Sequence, residues 1–99
     1  MTIAKTQNGT ALTLALEGRL DTITAPELEA EIKASLDGVT ALTLDLEKLE
    51  YISSAGLRVL LSAQKVMNKQ GDMKVTNVNE TIREIFEVTG FSDILSILP

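Results

Sequence analysis

Two runs of alternating leucines constrain the fold of this chain most strongly. Leucine takes every second position from residue 12 to 16 and again from residue 42 to 46, with small or polar residues between. A period of two places the leucines of each run on one face of a β-strand. The sequence therefore predicts two half-buried strands that share a hydrophobic core.

The segment between these runs has the pattern of an amphipathic helix. Thr24 and Glu27 have the spacing of a capping box, Pro26 suits a first turn, and Gly38 follows as a C-terminal stop. Its apolar positions share one helical face: Ala25, Leu28, Ile32 and Leu36. Strand, helix and strand with short connections form a βαβ unit, so we predict parallel strands with a right-handed crossover.

A second amphipathic helix follows the second leucine run. It begins at Ser53 or Ser54 and ends before Gly71. Its predicted apolar positions are Leu57, Leu60, Leu61 and Met67, widened by Val59, Ala63 and Val66. A polar stripe is predicted to lie in solvent: Arg58, Ser62, Lys65 and Lys69.

The two ends of the chain extend this unit. Met1 to Gln7 predicts a weak strand, and Asn8-Gly9 is typical of a hairpin turn. Towards the C-terminus the sequence predicts a strand at Met73, Val75 and Val78. A helix follows from Asn79 to Gly90, with the apolar residues Ile82, Ile85 and Phe86. Phe91 to Leu98 fits either a helical turn or a strand. We predict one α/β domain over residues 1–99, with a mostly parallel, curved sheet of four to five strands, an N-terminal hairpin and helices packed against it.

The composition excludes several kinds of chemistry. The 99 residues include no His and no Cys, which removes thiol nucleophiles, His-based acid–base catalysis and the commonest metal ligands. Nine basic residues against fourteen acidic ones give a net charge of −5, which argues against nucleic acids and anionic membranes as partners. We expect no membrane span, signal peptide, metal or cofactor, and a cytoplasmic protein that is not an enzyme and is a monomer when free.

The junction between the second strand and the second helix is the segment most suggestive of function. Ser53 and Ser54 stand at the helix start, where unpaired N–H groups and the helix dipole favour an anion. Helix capping alone also explains a serine at this position. Gly56 fits either the close approach of a ligand or crowding by a neighbouring strand or helix.

These residues resemble a known family, the STAS domains of the anti-sigma factor antagonist type. The resemblance rests on Gly18-x-Leu20-Asp21, on Leu44-Asp45-Leu46-x-x-Leu49-x-x-Ile52-Ser53-Ser54-x-Gly56-Leu57, and on Gly90-Phe91. Together with the order and spacing of the elements, it covers nearly the whole chain.

The resemblance implies a bacterial partner-switching regulator of transcription. Such proteins bind an anti-sigma factor that is also a serine kinase, and so release the sigma factor. The kinase phosphorylates the serine two residues before the Gly-Leu pair, here Ser54, and a PP2C-type phosphatase reverses this. The family usually has Asp before this serine and Ser or Thr after it, whereas this chain has Ser53 and Ala55. Ser53 is therefore a second candidate acceptor.

The predicted partner surface surrounds this serine. The resemblance implies that Asp21 lies near it and supports the kinase interaction, while its sequence context equally fits a turn residue before a helix. The predicted contact residues are Asp21, Glu50, Tyr51, Ser53, Ser54, Gly56, Arg58 and Ser62, with Lys65 further along the stripe. Asp45, inside a strand, is interpreted as structural.

Two other classes of protein compete with this interpretation. An independent enzyme is disfavoured because no Ser-Lys or paired-carboxylate arrangement is marked by spacing. A non-switching STAS module, such as a regulatory subunit of a transporter or of a lipid-trafficking complex, stays open. Such a module would use the same segment to bind a partner without a phosphorylation cycle.

Overall fold

The computed structural model describes residues 1–98 and has one four-stranded sheet in the order β1-β2-β3-β4. The strands are β1 (Thr2–Asn8), β2 (Ala11–Leu20), β3 (Ala41–Ile52) and β4 (Asp72–Thr76). β1 pairs antiparallel with β2, while β2–β3 and β3–β4 are parallel. The predicted α/β architecture with an N-terminal hairpin is confirmed.

The turn of the hairpin lies one residue later than Asn8-Gly9 suggests. Asn8 pairs with Ala11 as the last residue of β1, so Gly9 and Thr10 form the two-residue loop. Gly9 has a φ of +64°, which glycine adopts without the steric penalty that a side chain would bring.

Three helices cover one side of the sheet: α1 (Ala25–Ser35), α2 (Ser54–Gln70) and α3 (Glu80–Thr89). Their buried residues and the alternating leucines of the strands form one hydrophobic core. The prediction that Val66 belongs to this core is wrong, because its side chain is 42% exposed and lines a shallow groove between α1 and α2. No helix within residues 1–98 is long and apolar enough to cross a membrane.

The C-terminal elements combine both structures that the sequence allowed. Asn79 caps α3 by accepting a hydrogen bond from Ile82 N at 2.9 Å, and Gly90 ends the helix in the left-handed conformation, as predicted. A 3-10 turn follows at Phe91–Asp93, and Ile97 then forms a single parallel bridge with Val75 of β4.

β3 is longer than its leucine alternation suggests because it contains two bulges. Its pairing with β2 shifts by one residue between Ala15 and Glu17 and again between Gly18 and Arg19. Each shift inserts one extra residue into β3. The buried positions of β3 follow these shifts, since the spacing changes from two to three: Leu42, Leu44, Leu46, Leu49 and Ile52.

Candidate functional site

The site forms where β2 and β3 end side by side and each leads into a helix. Leu20 pairs with Ile52, and the Ser53 N–H donates a 2.8 Å hydrogen bond to the Leu20 carbonyl. The residues that follow the two strands, Asp21 and Ser53, are therefore neighbours. Carboxyl ends of adjacent parallel strands are the usual place for binding sites in open α/β sheets.

The segment from Asp21 to Thr24, here called the β2–α1 connection, is held by its own hydrogen bonds. Asp21 Oδ1 accepts from the N–H groups of Ile23 at 3.0 Å and Thr24 at 3.1 Å. The Thr24 hydroxyl donates to the Arg19 carbonyl at 2.7 Å and accepts from Asp21 N at 2.9 Å. The predicted capping box is wrong, because the Thr24 hydroxyl bonds backwards to β2 instead of to the first turn of α1.

These hydrogen bonds also favour the ionised form of Asp21. The hydrogen bond from Thr24 N is the main reason why the pKa of Asp21 lies below its ordinary value of 3.8, with smaller contributions from Ile23 N, the Thr24 hydroxyl and the Arg19 guanidinium. Arg19 Nε lies 3.9 Å from Asp21 Oδ2. The edge of the site therefore carries a partly exposed carboxylate that is bonded within its own connection.

The junction between β3 and α2, here called the β3–α2 junction, is a single residue, Ser53. The predicted contact residues Glu50 and Tyr51 lie within β3 itself, because β3 stays paired with β2 through two bulges as far as Ile52. Ser53 is the N-cap, and its hydroxyl accepts from Gly56 N at 3.4 Å. Ser54 is the first residue of α2 and is exposed, and within residues 1–98 its hydroxyl makes no hydrogen bond.

Gly56 is buried against the ends of both strands. A Cβ at this position would lie 2.7 Å from Leu20 Cγ and 2.9 Å from Ile52 Cγ1, closer than carbon atoms normally approach. Of the two explanations for this glycine, the structure therefore supports crowding by the strands. The close approach lets α2 start directly above the β2–β3 pair and places Ser54 at its exposed beginning.

Glu50 and Tyr51 are among the last three residues of β3. Tyr51 is the register partner of Arg19, and the Arg19 guanidinium lies 4.5 Å from the centroid of its ring. This distance allows a cation–π interaction. Glu50 is exposed beside it. Arg19 was missed by sequence reasoning, because only the bulged register reveals that it faces Tyr51.

The polar stripe of α2 is exposed as predicted, from Arg58 through Ser62 and Lys65 to Lys69. A shallow groove between the starts of α1 and α2 is lined on one side by Thr22 and on the other by Ala55, Arg58 and Ser62. This groove makes one continuous surface from the β2–α1 connection to the beginning of the polar stripe.

Asp45 has the structural role expected of it. Its Oδ1 atom accepts from Glu47 N and from Asn77 Nδ2, both at 3.0 Å. Glu47 lies at the first bulge, where the register shift occurs. The carboxylate therefore binds to backbone at the bulge and to the segment after β4.

Comparison with known proteins identifies the family. The family model described as STAS domain matches residues 2–99. The chain belongs to the STAS domain family. The resemblance noted from the motif residues around Ser54 is thereby confirmed over nearly the whole length of the chain.

Three relatives of this STAS domain are named anti-sigma factor antagonists. A Bordetella bronchiseptica protein named "Putative anti-sigma factor antagonist BtrV" is 43% identical over 90 residues, which are 89% of this chain and 75% of that protein. The anti-sigma-B factor antagonist of Bacillus subtilis is 29% identical over 92% of this chain and 84% of its own length. The crystal structure of an anti-sigma factor antagonist from Mycobacterium paratuberculosis matches with a TM-score of 0.89 and 26% identity, covering 99% of this chain and 85% of the other.

One exposed residue of this STAS domain was not found from the sequence. Ile23, in the β2–α1 connection, is 84% exposed although it is a large aliphatic side chain. The sequence does contain a pattern at this position, the hydrophobic staple, in which an apolar residue just before a helix N-cap packs onto the helix. That pattern predicts burial, and only the structure places Ile23 in solvent.

Proposed function

We propose that this STAS domain is an anti-sigma factor antagonist that acts by partner switching. In its unmodified form it binds an anti-sigma factor serine kinase, and the sigma factor held by that kinase is released. Phosphorylation of Ser54 ends the binding, and a PP2C-type phosphatase restores it. The domain acts as a cytoplasmic binding partner and substrate of these enzymes, without catalysis of its own. The relatives named anti-sigma factor antagonists support this choice within the family.

The observation that carries the proposal is the difference between the two serines at the start of α2. The Ser53 hydroxyl is engaged as the helix cap, whereas the Ser54 hydroxyl is exposed and without a hydrogen bond within residues 1–98. A kinase needs an accessible hydroxyl that it can reach without unwinding the helix. Ser54 meets this requirement, and Ser53 is the second candidate.

The position also suits the chemistry of a switch. A phosphate adds a charge of about −1.5 to −2, which the N–H groups and dipole at the start of α2 tolerate inside the domain. In a partner interface the same charge is costly, because burying it without a counter-charge loses its hydration. Phosphorylation of Ser54 therefore opposes binding while leaving the fold intact.

The proposed partner surface combines the residues predicted from the sequence with their places in the fold. Arg58 and Ser62 line the groove. Asp21 and Ser54 directly precede its lining residues Thr22 and Ala55, and Glu50, Tyr51 and Ser53 lie just before Ser54 in the sequence. Gly56 contributes indirectly, because it is buried and sets the position of Ser54 against the strands.

The decisive experiment is phosphorylation in vitro. Each histidine-kinase-like ATPase of the same genome is incubated with the domain and ATP, and the peptide containing Ser53 and Ser54 is analysed by mass spectrometry. We expect one phosphate, lost in Ser54→Ala and kept in Ser53→Ala, with Ser92→Ala as an exposed-serine control. The reverse pattern moves the acceptor to Ser53. No phosphate with any kinase, together with binding to a transporter or lipid-trafficking component, would favour the non-switching module.

A binding measurement tests the surface separately. Arg58→Glu, at the start of the polar stripe, should weaken the complex with the kinase that phosphorylates the wild type. Lys69→Glu is the matched control, because it makes the same charge change at the far end of the stripe. Equal affinities for both variants would place the interface elsewhere. Circular dichroism confirms that each variant is folded.

A further inference from the structure

Ile23 is exposed although its local environment offers it a place to pack. Thr24 is the N-cap of α1, so Ile23 precedes the cap and Leu28 is the fourth helical residue. An apolar residue before the cap and one at the fourth helical position commonly pack together as a hydrophobic staple. Here Leu28 is fully buried while Ile23 is 84% exposed, so this contact is not made.

The backbone that carries Ile23 is held in place by hydrogen bonds. Asp21 Oδ1 accepts from Ile23 N and from the following Thr24 N, and the Thr24 hydroxyl ties the connection back to Arg19. A side chain presented on an ordered backbone loses less conformational entropy when a partner covers it. The connection therefore presents Ile23 in a preorganised position, instead of leaving it on a disordered loop.

The position of Ile23 links it to the Ser54 surface. Its neighbour Thr22 lines the same groove as Ala55 and Arg58. Ser54 immediately precedes Ala55 at the opposite side of that groove. A partner that covers Ser54 and the start of the polar stripe therefore reaches the β2–α1 connection across a continuous surface.

We propose that Ile23 is the apolar anchor of the partner interface and inserts into an apolar pocket on the anti-sigma factor. This inference rests on the proposed function, because it assumes that the partner is the anti-sigma factor kinase that acts on Ser54. Interfaces concentrate their binding energy in a few central side chains that become fully desolvated, surrounded by a polar rim. Ile23 supplies the apolar centre, and Asp21, Ser54 and Arg58 supply the polar surroundings.

Val88 provides a matched control within the same chain. Its side chain is 83% exposed, close to the value for Ile23, but it lies on α3 beside Thr81 and Glu84 and away from the groove. If any exposed aliphatic side chain contributes to binding, the two residues should matter equally. If Ile23 is the anchor, only its replacement weakens the complex.

The experiment measures binding of unphosphorylated variants to the kinase identified by Ser54 phosphorylation, using surface plasmon resonance. We expect Ile23→Thr to weaken the affinity at least about tenfold, equivalent to about 1.4 kcal/mol, chiefly through faster dissociation. Ile23→Leu should keep most of the wild-type affinity, and Val88→Thr should change the affinity less than about twofold. Melting curves of the variants check that the fold is retained.

The outcomes separate this inference from the proposed function. Unchanged affinity of Ile23→Thr, while Arg58→Glu weakens binding, would overturn the anchor and leave partner switching intact. Failure of the wild type to bind any anti-sigma factor kinase would overturn both. NMR of the wild-type complex gives an independent check: the Ile23 methyl groups should become protected from a soluble paramagnetic agent, and unchanged accessibility would contradict the anchor.

Discussion

The β2–α1 connection and the β3–α2 junction lie side by side and begin helices in opposite ways. The first uses four residues, and the polar groups of Asp21 and Thr24 bond to one another and to β2. The second uses Ser53 alone, with one capping hydrogen bond of 3.4 Å, and among residues 1–98 the Ser54 hydroxyl has no hydrogen-bond partner. The polar groups of the longer connection are thus bonded to one another, while the shorter junction leaves the Ser54 side chain exposed at the helix start.

The comparison shows that two adjacent segments of one surface can present different groups independently of each other. The internal bonds of the β2–α1 connection hold an apolar side chain outward, and the β3–α2 junction exposes a hydroxyl at a helix start. Neither feature requires the other to move. Under the proposed function, a modification at Ser54 therefore changes charge at the surface without disturbing the adjoining connection.

Phosphorylation of Ser54 should produce the largest change in binding affinity. It also tests whether the β3–α2 junction can change while the β2–α1 connection stays as it is. We expect affinity for the kinase to fall more than about a hundredfold, which corresponds to about 3 kcal/mol, because the added charge must be buried without a partner. NMR shift changes should be confined to the β3–α2 junction and the first turn of α2. Shifts spreading through the β2–α1 connection and the sheet, or equal affinity of the two forms, would contradict this independence.

Gly56→Ala tests the close packing on which the β3–α2 junction depends. The new methyl group would overlap Leu20 and Ile52, at a cost of roughly 1–3 kcal/mol, which outweighs the helix-propensity gain of about 1 kcal/mol. We expect a lower free energy of unfolding in urea denaturation followed by circular dichroism. Ser62→Ala, at an exposed position of the same helix, is the control for propensity. A stabilised Gly56→Ala variant would mean that the strand side chains move aside easily.

Thr24→Val and Ser53→Ala compare the hydrogen bonds of the two regions directly. Thr24→Val removes the hydroxyl that joins Arg19 O to Asp21 N and should cost about 1–2 kcal/mol in unfolding free energy. Ser53→Ala removes one long capping bond and should cost about 0.5 kcal/mol, the low end for N-caps. The same urea experiments measure both. A larger loss for Ser53→Ala would reverse the comparison.

The smallest expected effect is the pH dependence of the β2–α1 connection. Hydrogen bonds lower the pKa of Asp21 in the folded state below its ordinary value of 3.8, so the unfolded chain takes up a proton at a higher pH than the folded one. The stabilising contribution is present above that ordinary value and is lost as the pH falls through the lowered pKa. The difference in unfolding free energy between wild type and Asp21→Asn should shrink over this acidic range. Asp37→Asn is the control for removing a carboxylate elsewhere in the chain. A difference independent of pH would contradict this account.

Features that depend on residues close together in the sequence could be predicted before the structure. The leucine alternation predicts β2 and the first half of β3, and Asn79 and Gly90 predict the ends of α3. The Ser53-Ser54 pair predicts the start of α2 to within one residue. These signals work because side-chain periodicity, N-capping and left-handed glycines act within a few residues of backbone. The motifs that indicated the STAS family are local in the same way, and their order along the chain completed the resemblance.

Features that depend on contacts between distant residues were decided by the tertiary structure. β3 extends to Ile52 because two bulges match it to β2, and a side chain at position 56 of α2 would collide with Leu20 at the end of β2. The Thr24 hydroxyl bonds to Arg19 and Asp21 and does not cap the first turn of α1 as predicted. Ile23 is exposed as a result of that arrangement. Local propensities are worth about 1 kcal/mol or less per residue, so packing and hydrogen bonds supplied by another strand override them.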